Sequence, residues 1–102
     1  MSSYNKLVRD KIPEIIKADG KECETRVLDD KEYLLSLHKK LYEELREYYE
    51  TESIDELADM VEVIFAIVGQ YGISIEEFEK LRISKRQKRG GFDQKLFLMS
   101  IS

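Results

Sequence analysis

YEELREYYETESIDELADM, residues 42–60, reads as the end of one amphipathic helix, a short turn and the start of a second helix. Before the turn, Leu37, Leu41 and Leu45 share one helical stripe, and after it Val63 and Ile67 share another. Ser53 followed by Glu56 has the spacing of a capping box, which predicts that the second of these helices begins there. The pattern therefore predicts two neighbouring helices that can pack as a hairpin.

Similar start and stop signals predict two further helices. The first helix should begin at Asp10 with Pro13 and end at Gly20, and the second should begin at Asp29 with Glu32. The third helix should end at Gly72. The fourth should begin at Ser74 with Glu77 and be stopped by the Gly90–Gly91 pair. CETRVL (Cys23–Leu28) has the composition of a short strand, and KLFLMSI (Lys95–Ile101) could pair with it. We therefore expect one all-α domain over residues 1–102, a small four-helix bundle with a minor two-stranded β element near the ends of the chain.

Composition narrows the functional classes. The net charge of −4 argues against a general nucleic-acid binder. The single cysteine, Cys23, cannot form an internal disulfide, and no apolar run approaches the roughly 18 residues that a membrane span requires. The N-terminal MSSYNKLVRDK lacks the apolar stretch of a signal peptide. We therefore expect a cytoplasmic protein that does not enter the membrane.

Four acidic side chains lie at the edges of the two apolar stripes. At about 100° per residue, Glu44 falls beside Leu37 and Glu47 lies about 60° further round the same helix. Glu56 and Asp59 form a second pair with the same three-residue spacing on the next helix. Carboxylates crowded beside apolar surface are costly unless a cation neutralises them. Oxygen ligands without a nearby His or Cys favour Mg²⁺, with Mn²⁺ as a substitute.

Each acid also has an ordinary structural explanation. Glu56 could be the capping-box partner of Ser53, and Asp59 could favour the positive end of its helix. Glu47 could belong to a solvated face together with Lys40. Pairing of the two motifs on adjacent helices favours the metal site, although the sequence alone leaves both explanations open.

The acidic motifs also resemble those of a known superfamily. EELRE (Glu43–Glu47) followed by ELAD (Glu56–Asp59) is similar to the EExxE and ExxD motifs of MazG-type all-α nucleoside triphosphate pyrophosphohydrolases, which include phosphoribosyl-ATP pyrophosphohydrolase. YNKLVRDKIPEII (Tyr4–Ile16) and KRQKRGGF (Lys85–Phe92) are similar to a phosphoribosyl-ATP pyrophosphohydrolase-like subgroup. The resemblance covers nearly the whole chain.

This resemblance implies a reaction and a set of site residues. It implies that Glu44, Glu47, Glu56 and Asp59 are catalytic and bind Mg²⁺, and that a nucleotide is hydrolysed to its monophosphate and pyrophosphate. The cationic residues suited to contact the phosphates of the small-molecule substrate are Lys40, Lys85, Arg89, Lys6 and Arg9. Glu47 is the preferred general base.

Two expectations concern partners. VEVIFAIV (Val61–Val68) is apolar almost all round its helix, which predicts a homo-oligomer, a dimer or a tetramer, that covers it. The alternative to an enzyme is a non-catalytic helical module whose basic segment KLRISKRQKR (Lys80–Arg89) binds nucleic acid or an acidic partner. The position of this basic segment relative to the carboxylates should distinguish the two functions.

Overall fold

A computed structural model describes residues 5–102 and has a small, all-α, bundle-like fold. Its helices are α1 (Ile12–Ala18), α2 (Asp30–Thr51), α3 (Ile54–Gln70) and α4 (Ile75–Arg89). The prediction of four helices is thus confirmed. Tyr4, the first residue of the N-terminal motif, lies outside the described residues.

Local hydrogen bonds explain where α2 and α4 begin. The Asp29 carboxylate accepts a hydrogen bond from the Glu32 backbone N–H at 2.8 Å, and Glu32 accepts one from the Asp29 N–H. Ser74 caps α4, because its hydroxyl accepts from the Glu77 N–H at 3.1 Å and donates to Glu77 Oε1 at 3.1 Å. Both caps satisfy backbone donors that the helix itself leaves unpaired.

The hairpin of α2 and α3 is the centre of the fold and carries most of its helix packing. Two residues, Glu52 and Ser53, separate the helices, and Glu52 adopts a left-handed backbone conformation with φ of 52°. Such a short connection makes α2 and α3 antiparallel neighbours. Leu37 of α2 and Val63 of α3 are the buried apolar side chains among residues 5–102, with exposed fractions of 2% and 8%.

The fourth helix leaves this hairpin at a steep angle. The axis turns by 109° between α3 and α4, and Phe65 packs edge-on against Phe78 with ring centroids 6.3 Å apart. Among the described residues, α4 packs on α3 and not on α2. Helix α4 is therefore connected to the hairpin through α3.

The predicted β element does not form within residues 5–102, which contain no strand. Val27 and Phe97, in the two segments expected to pair, have exposed fractions of 97% and 85%. Arg26 instead donates two hydrogen bonds to Glu32, at 3.2 and 2.7 Å. A β-branched and apolar composition is not enough for a strand, because strand hydrogen bonds require a paired neighbour.

No single helix in the described range is both long and apolar enough to cross a bilayer. The pair α3 and α4 meets the limits of length and composition only when counted together, across its bend of 109°.

Candidate metal centre

The second helix supplies the most deeply buried acid of the site. Glu44 lies beside Leu37 on the face of α2 that packs against α3, and only 5% of it is exposed. Lys40, one turn earlier, places its Nζ 3.5 Å from Oε1 of Glu44. The other oxygen, Oε2, is buried and has no hydrogen-bond partner. A buried carboxylate with one unsatisfied oxygen is costly in the metal-free protein.

The third helix supplies Glu56 from its first turn, but not as a capping residue. The Ser53 side chain caps α3 by accepting from the Asp55 N–H at 3.3 Å. Glu56 does not complete the expected box, because the Ser53 backbone N–H donates to Thr51 Oγ1 at 3.2 Å, and the Glu56 Oε2 is buried without a hydrogen-bond partner. The predicted start of α3 at Ser53 is confirmed, but the predicted reciprocal contact of Glu56 was wrong, because its carboxylate is directed toward Glu44 of α2 instead.

Three acids from the two helices converge. Glu44, Glu56 and Asp59 each offer one oxygen, and these oxygens all lie within 4.8 Å of one another. The three-residue spacing of Glu56 and Asp59 puts them on neighbouring turns of α3, and the short α2–α3 turn brings Glu44 alongside. We call these three residues the acidic triad.

Two cations from the protein lie at the edge of the acidic triad. Lys40 approaches Glu44 as described, and it also lies 3.8 Å from Oε2 of Glu43. Arg9 Nη2 donates to Oδ1 of Asp59 at 2.7 Å. Neither cation partners the Oε2 atom of Glu44 or of Glu56. The charge of the triad is therefore compensated only in part.

Crowding changes the acidity of the triad. Desolvation raises the pKa of Glu56 to about 7, and hydrogen bonding to Glu44 and Glu47 and their negative charges act in the same direction. Desolvation also raises the pKa of Glu44, with the charge of Glu47 adding to it and with hydrogen bonding to Glu56 and the charge of Lys40 opposing it. When both Glu44 and Glu56 are ionised, neither carboxylate can donate to the other. Protonated Glu56 can donate, so a single proton relieves the repulsion.

Glu47 lies next to the triad rather than in it. Its charge contributes to the raised pKa of both Glu44 and Glu56. It also lines a groove of about 270 Å³ on α2 with Tyr42, Glu43, Arg46 and Glu50. Three of the four predicted ligands are thus brought together, and the fourth is adjacent.

The five residues predicted to bind the substrate lie in three parts of the structure. Lys40 and Arg9 lie at the triad, whereas Lys85 and Arg89 are exposed on α4 and form no ion pair with it. Lys6 is exposed in the segment before α1. Arg9 was predicted as a substrate-binding residue because of its charge. No sequence pattern indicated that it pairs with Asp59, which lies 50 residues away.

The oxygens of the triad suit a hard divalent cation. All three side chains are carboxylates, which Mg²⁺ and Mn²⁺ prefer, and no soft ligand is among them. The unpartnered oxygens of Glu44 and Glu56 are what a positive ion would satisfy. The residues present therefore fit the ion that the sequence suggested.

Comparison with known proteins gives one relative. A stretch of 41 residues is 51% identical to an uncharacterized protein of Mycolicibacterium smegmatis (strain ATCC 700084 / mc(2)155), covering 40% of this chain and 42% of the relative. The matched region is thus less than half the length of that relative. No family model and no solved structure matches the chain.

Proposed function

We propose that the protein is a Mg²⁺-dependent nucleoside triphosphate pyrophosphohydrolase of the MazG type, which hydrolyses a standard or modified nucleotide to its monophosphate and pyrophosphate. The observation that carries this proposal is the convergence of Glu44, Glu56 and Asp59, whose oxygens lie within 4.8 Å of one another. Two of these side chains have a buried oxygen without a hydrogen-bond partner. Such an arrangement is unfavourable for stability alone and is typical of a functional site.

The acidic residues have two different roles in the proposed reaction. Glu44, Glu56 and Asp59 would hold Mg²⁺, with Glu47 beside them as the fourth acid of the resembling motif. When bound, Mg²⁺ supplies Lewis-acid chemistry, since it offsets phosphate charge and lowers the pKa of water. A carboxylate oxygen of Glu47 accepts the proton of the water that attacks the α-phosphorus.

Cations of the chain complement the phosphates. The Lys40 ammonium, 3.5 Å from Glu44, lies next to the triad and adds positive charge where the phosphate chain would bind. Lys85 and Arg89 are exposed on α4, outside the acidic triad. The proposed substrate is a cytoplasmic metabolite, so the proposed place of action is the cytoplasm.

We further propose that the protein acts as a homo-oligomer, a dimer or a tetramer. Val61 of α3 and Leu81 of α4 leave 45% and 57% of their surfaces exposed. The radius of gyration is 18.0 Å, whereas a compact domain of this length has a value of about 13 Å. An elongated chain with exposed apolar side chains gains stability when a second copy covers them.

The test is a panel of standard and modified nucleoside triphosphates with Mg²⁺ or Mn²⁺, scored separately for pyrophosphate, monophosphate and inorganic phosphate. Glu56→Gln should abolish turnover. Glu77→Gln is the matched control, because Glu77 occupies the same position in the first turn of α4 but belongs to a true cap. Equal activity of the two variants would contradict the proposal.

One observation favours a second candidate function, a binding module for nucleic acid or an acidic protein. The basic residues Lys85, Arg86, Lys88 and Arg89 are all exposed, and α4 does not pack on α2 in the described chain. Fluorescence anisotropy with a labelled oligonucleotide tests this alternative, using Lys85→Gln/Arg89→Gln as the variant. Salt-sensitive binding that this variant loses, without any nucleotide turnover by the wild type, would favour the module.

A further inference from the structure

The segment before α1 places a guanidinium directly on the acidic triad. Arg9 Nη2 lies 2.7 Å from Asp59 Oδ1, although the two residues are 50 positions apart. The Arg9 carbonyl accepts a hydrogen bond from the Ile12 N–H at 3.1 Å, so the turn into α1 fixes its backbone. The Arg9 side chain therefore spans from this turn to Asp59 on α3.

Arg9 occupies only one corner of the triad. The oxygens without a hydrogen-bond partner belong to Glu44 and Glu56, and Glu44 is 5% exposed, so the part of the site beyond Arg9 still has uncompensated acceptors. A divalent ion bound by all three acids would share the Asp59 carboxylate with Arg9. The divalent ion and the Arg9 guanidinium repel each other when both contact this carboxylate. A bound ion therefore weakens the ion pair between Asp59 and Arg9.

Releasing Arg9 from Asp59 has a small cost. The side chains of Arg9 and Asp59 are 57% and 40% exposed, and ion pairs of such exposure contribute little to stability. A guanidinium next to a loaded metal site is well suited to an anion, since its parallel N–H groups match the oxygens of a phosphate. The Arg9 side chain can therefore pair with Asp59 in the metal-free protein and with a phosphate when a divalent ion is bound.

We propose that Arg9 is the counter-cation of Asp59 in the metal-free protein and becomes a phosphate-binding residue when a divalent ion occupies the triad. The proposal deepens the proposed function and rests on it for the nature of the phosphate ligand. Arg9 then has two opposite effects. It weakens binding of the metal ion and strengthens binding of the polyphosphate.

Two binding measurements that need no turnover test these effects. The first titrates wild type and Arg9→Gln with Mn²⁺ alone and follows the free ion by electron paramagnetic resonance. Loss of the competing guanidinium should tighten Mn²⁺ binding by about two- to fivefold, the range expected for an exposed ion pair. The second titrates the Mn²⁺-saturated proteins with inorganic triphosphate, for which Arg9→Gln should bind about tenfold or more weakly.

Arg26→Gln is the matched control. Arg26 forms an exposed pair with Glu32 at the same 2.7 Å distance, and the substitution removes the same charge away from the triad. It should change neither titration. Arg9→Lys provides a second variant, which retains the charge but not the paired N–H groups, and it should bind Mn²⁺ like the wild type while losing triphosphate affinity.

The outcomes separate this inference from the proposed function. Weaker or unchanged Mn²⁺ binding by Arg9→Gln overturns the competition, and unchanged triphosphate binding overturns the phosphate contact. A wild type that binds Mn²⁺ and triphosphate but hydrolyses no nucleotide would overturn the proposed function, while both titrations would still decide the role of Arg9.

Discussion

Glu44 and Glu56 face each other across the α2–α3 hairpin, and each has an Oε2 atom that is buried without a hydrogen-bond partner. Their ligand-capable oxygens lie within 4.8 Å, together with that of Asp59. Carboxylates in this arrangement repel each other when ionised and attract a cation. The stability of the protein, its pH dependence and its response to Mg²⁺ should therefore all depend on these carboxylates.

Replacing Glu56 by Gln should leave the metal-free protein equally or more stable, because the substitution removes a crowded negative charge and the amide can donate to Glu44. It should also abolish stabilisation by Mg²⁺, which is roughly 2.7 kcal/mol for a ligand at a hundred times its dissociation constant. Thermal melts with and without Mg²⁺ measure both effects.

Glu77→Gln is the control for these melts, since Glu77 sits in the Ser74 cap of α4, away from the triad. This variant should lose at most a few tenths of a kcal/mol and keep the full Mg²⁺ effect. A Mg²⁺-induced rise in melting temperature that survives Glu56→Gln would remove Glu56 from the proposed metal site.

The metal-free protein should lose stability as the pH rises from about 4.5 to about 7. The pKa of Glu56 is raised from 4.5 to about 7 in the folded state, so the folded protein binds the proton more tightly than the unfolded chain does. The stabilising contribution is complete below pH 4.5 and is lost as the pH rises through 7. Chemical denaturation across this range, in the presence of a chelator, measures the slope.

Glu56→Gln should flatten that pH profile, because Gln does not titrate. The Glu77→Gln profile should retain the wild-type slope in this range. An equal slope in wild type and Glu56→Gln would show that other groups dominate the pH dependence.

Hydrolysis in water labelled with ¹⁸O should place the label in the nucleoside monophosphate and not in pyrophosphate. This result follows from attack at the α-phosphorus, which the resemblance to MazG-type enzymes implies. Mass spectrometry of the two products decides the position of the label. Label in inorganic phosphate, with a nucleoside diphosphate as the other product, would contradict the mechanism.

The protein should be at least a dimer at micromolar concentration, because Val61 and Leu81 expose apolar surface on α3 and α4. Light scattering should give a mass at least twice the 12.0 kDa of the single chain. Val61→Glu should reduce that mass by burying a charge in the proposed contact. A wild-type mass of 12.0 kDa would rule out the assembly.

Local sequence signals predicted the four helices and most of their ends. Asp29 with Glu32 forms the predicted capping box on α2, Ser74 caps α4 at the predicted position, and Gly90 follows α4 with φ of 84°. These features depend on hydrogen bonds and backbone angles within a single turn, so the residues that decide them are adjacent in the chain. The acids of the triad were recognisable for the same reason, since their spacing on each helix is local.

Packing between distant segments set the features that these local signals do not encode. Ser53 with Glu56 has the same spacing as Ser74 with Glu77. Glu56 turns toward Glu44 on the neighbouring α2, whereas Glu77 accepts from the Ser74 hydroxyl within its own cap. The pairing of Arg9 with Asp59 depends on a chain path 50 residues long. The apolar residues 95–101 stayed unpaired, because a strand exists only where another segment supplies its hydrogen bonds. Contacts between distant segments follow from packing, and no pattern within one turn of the chain encodes them.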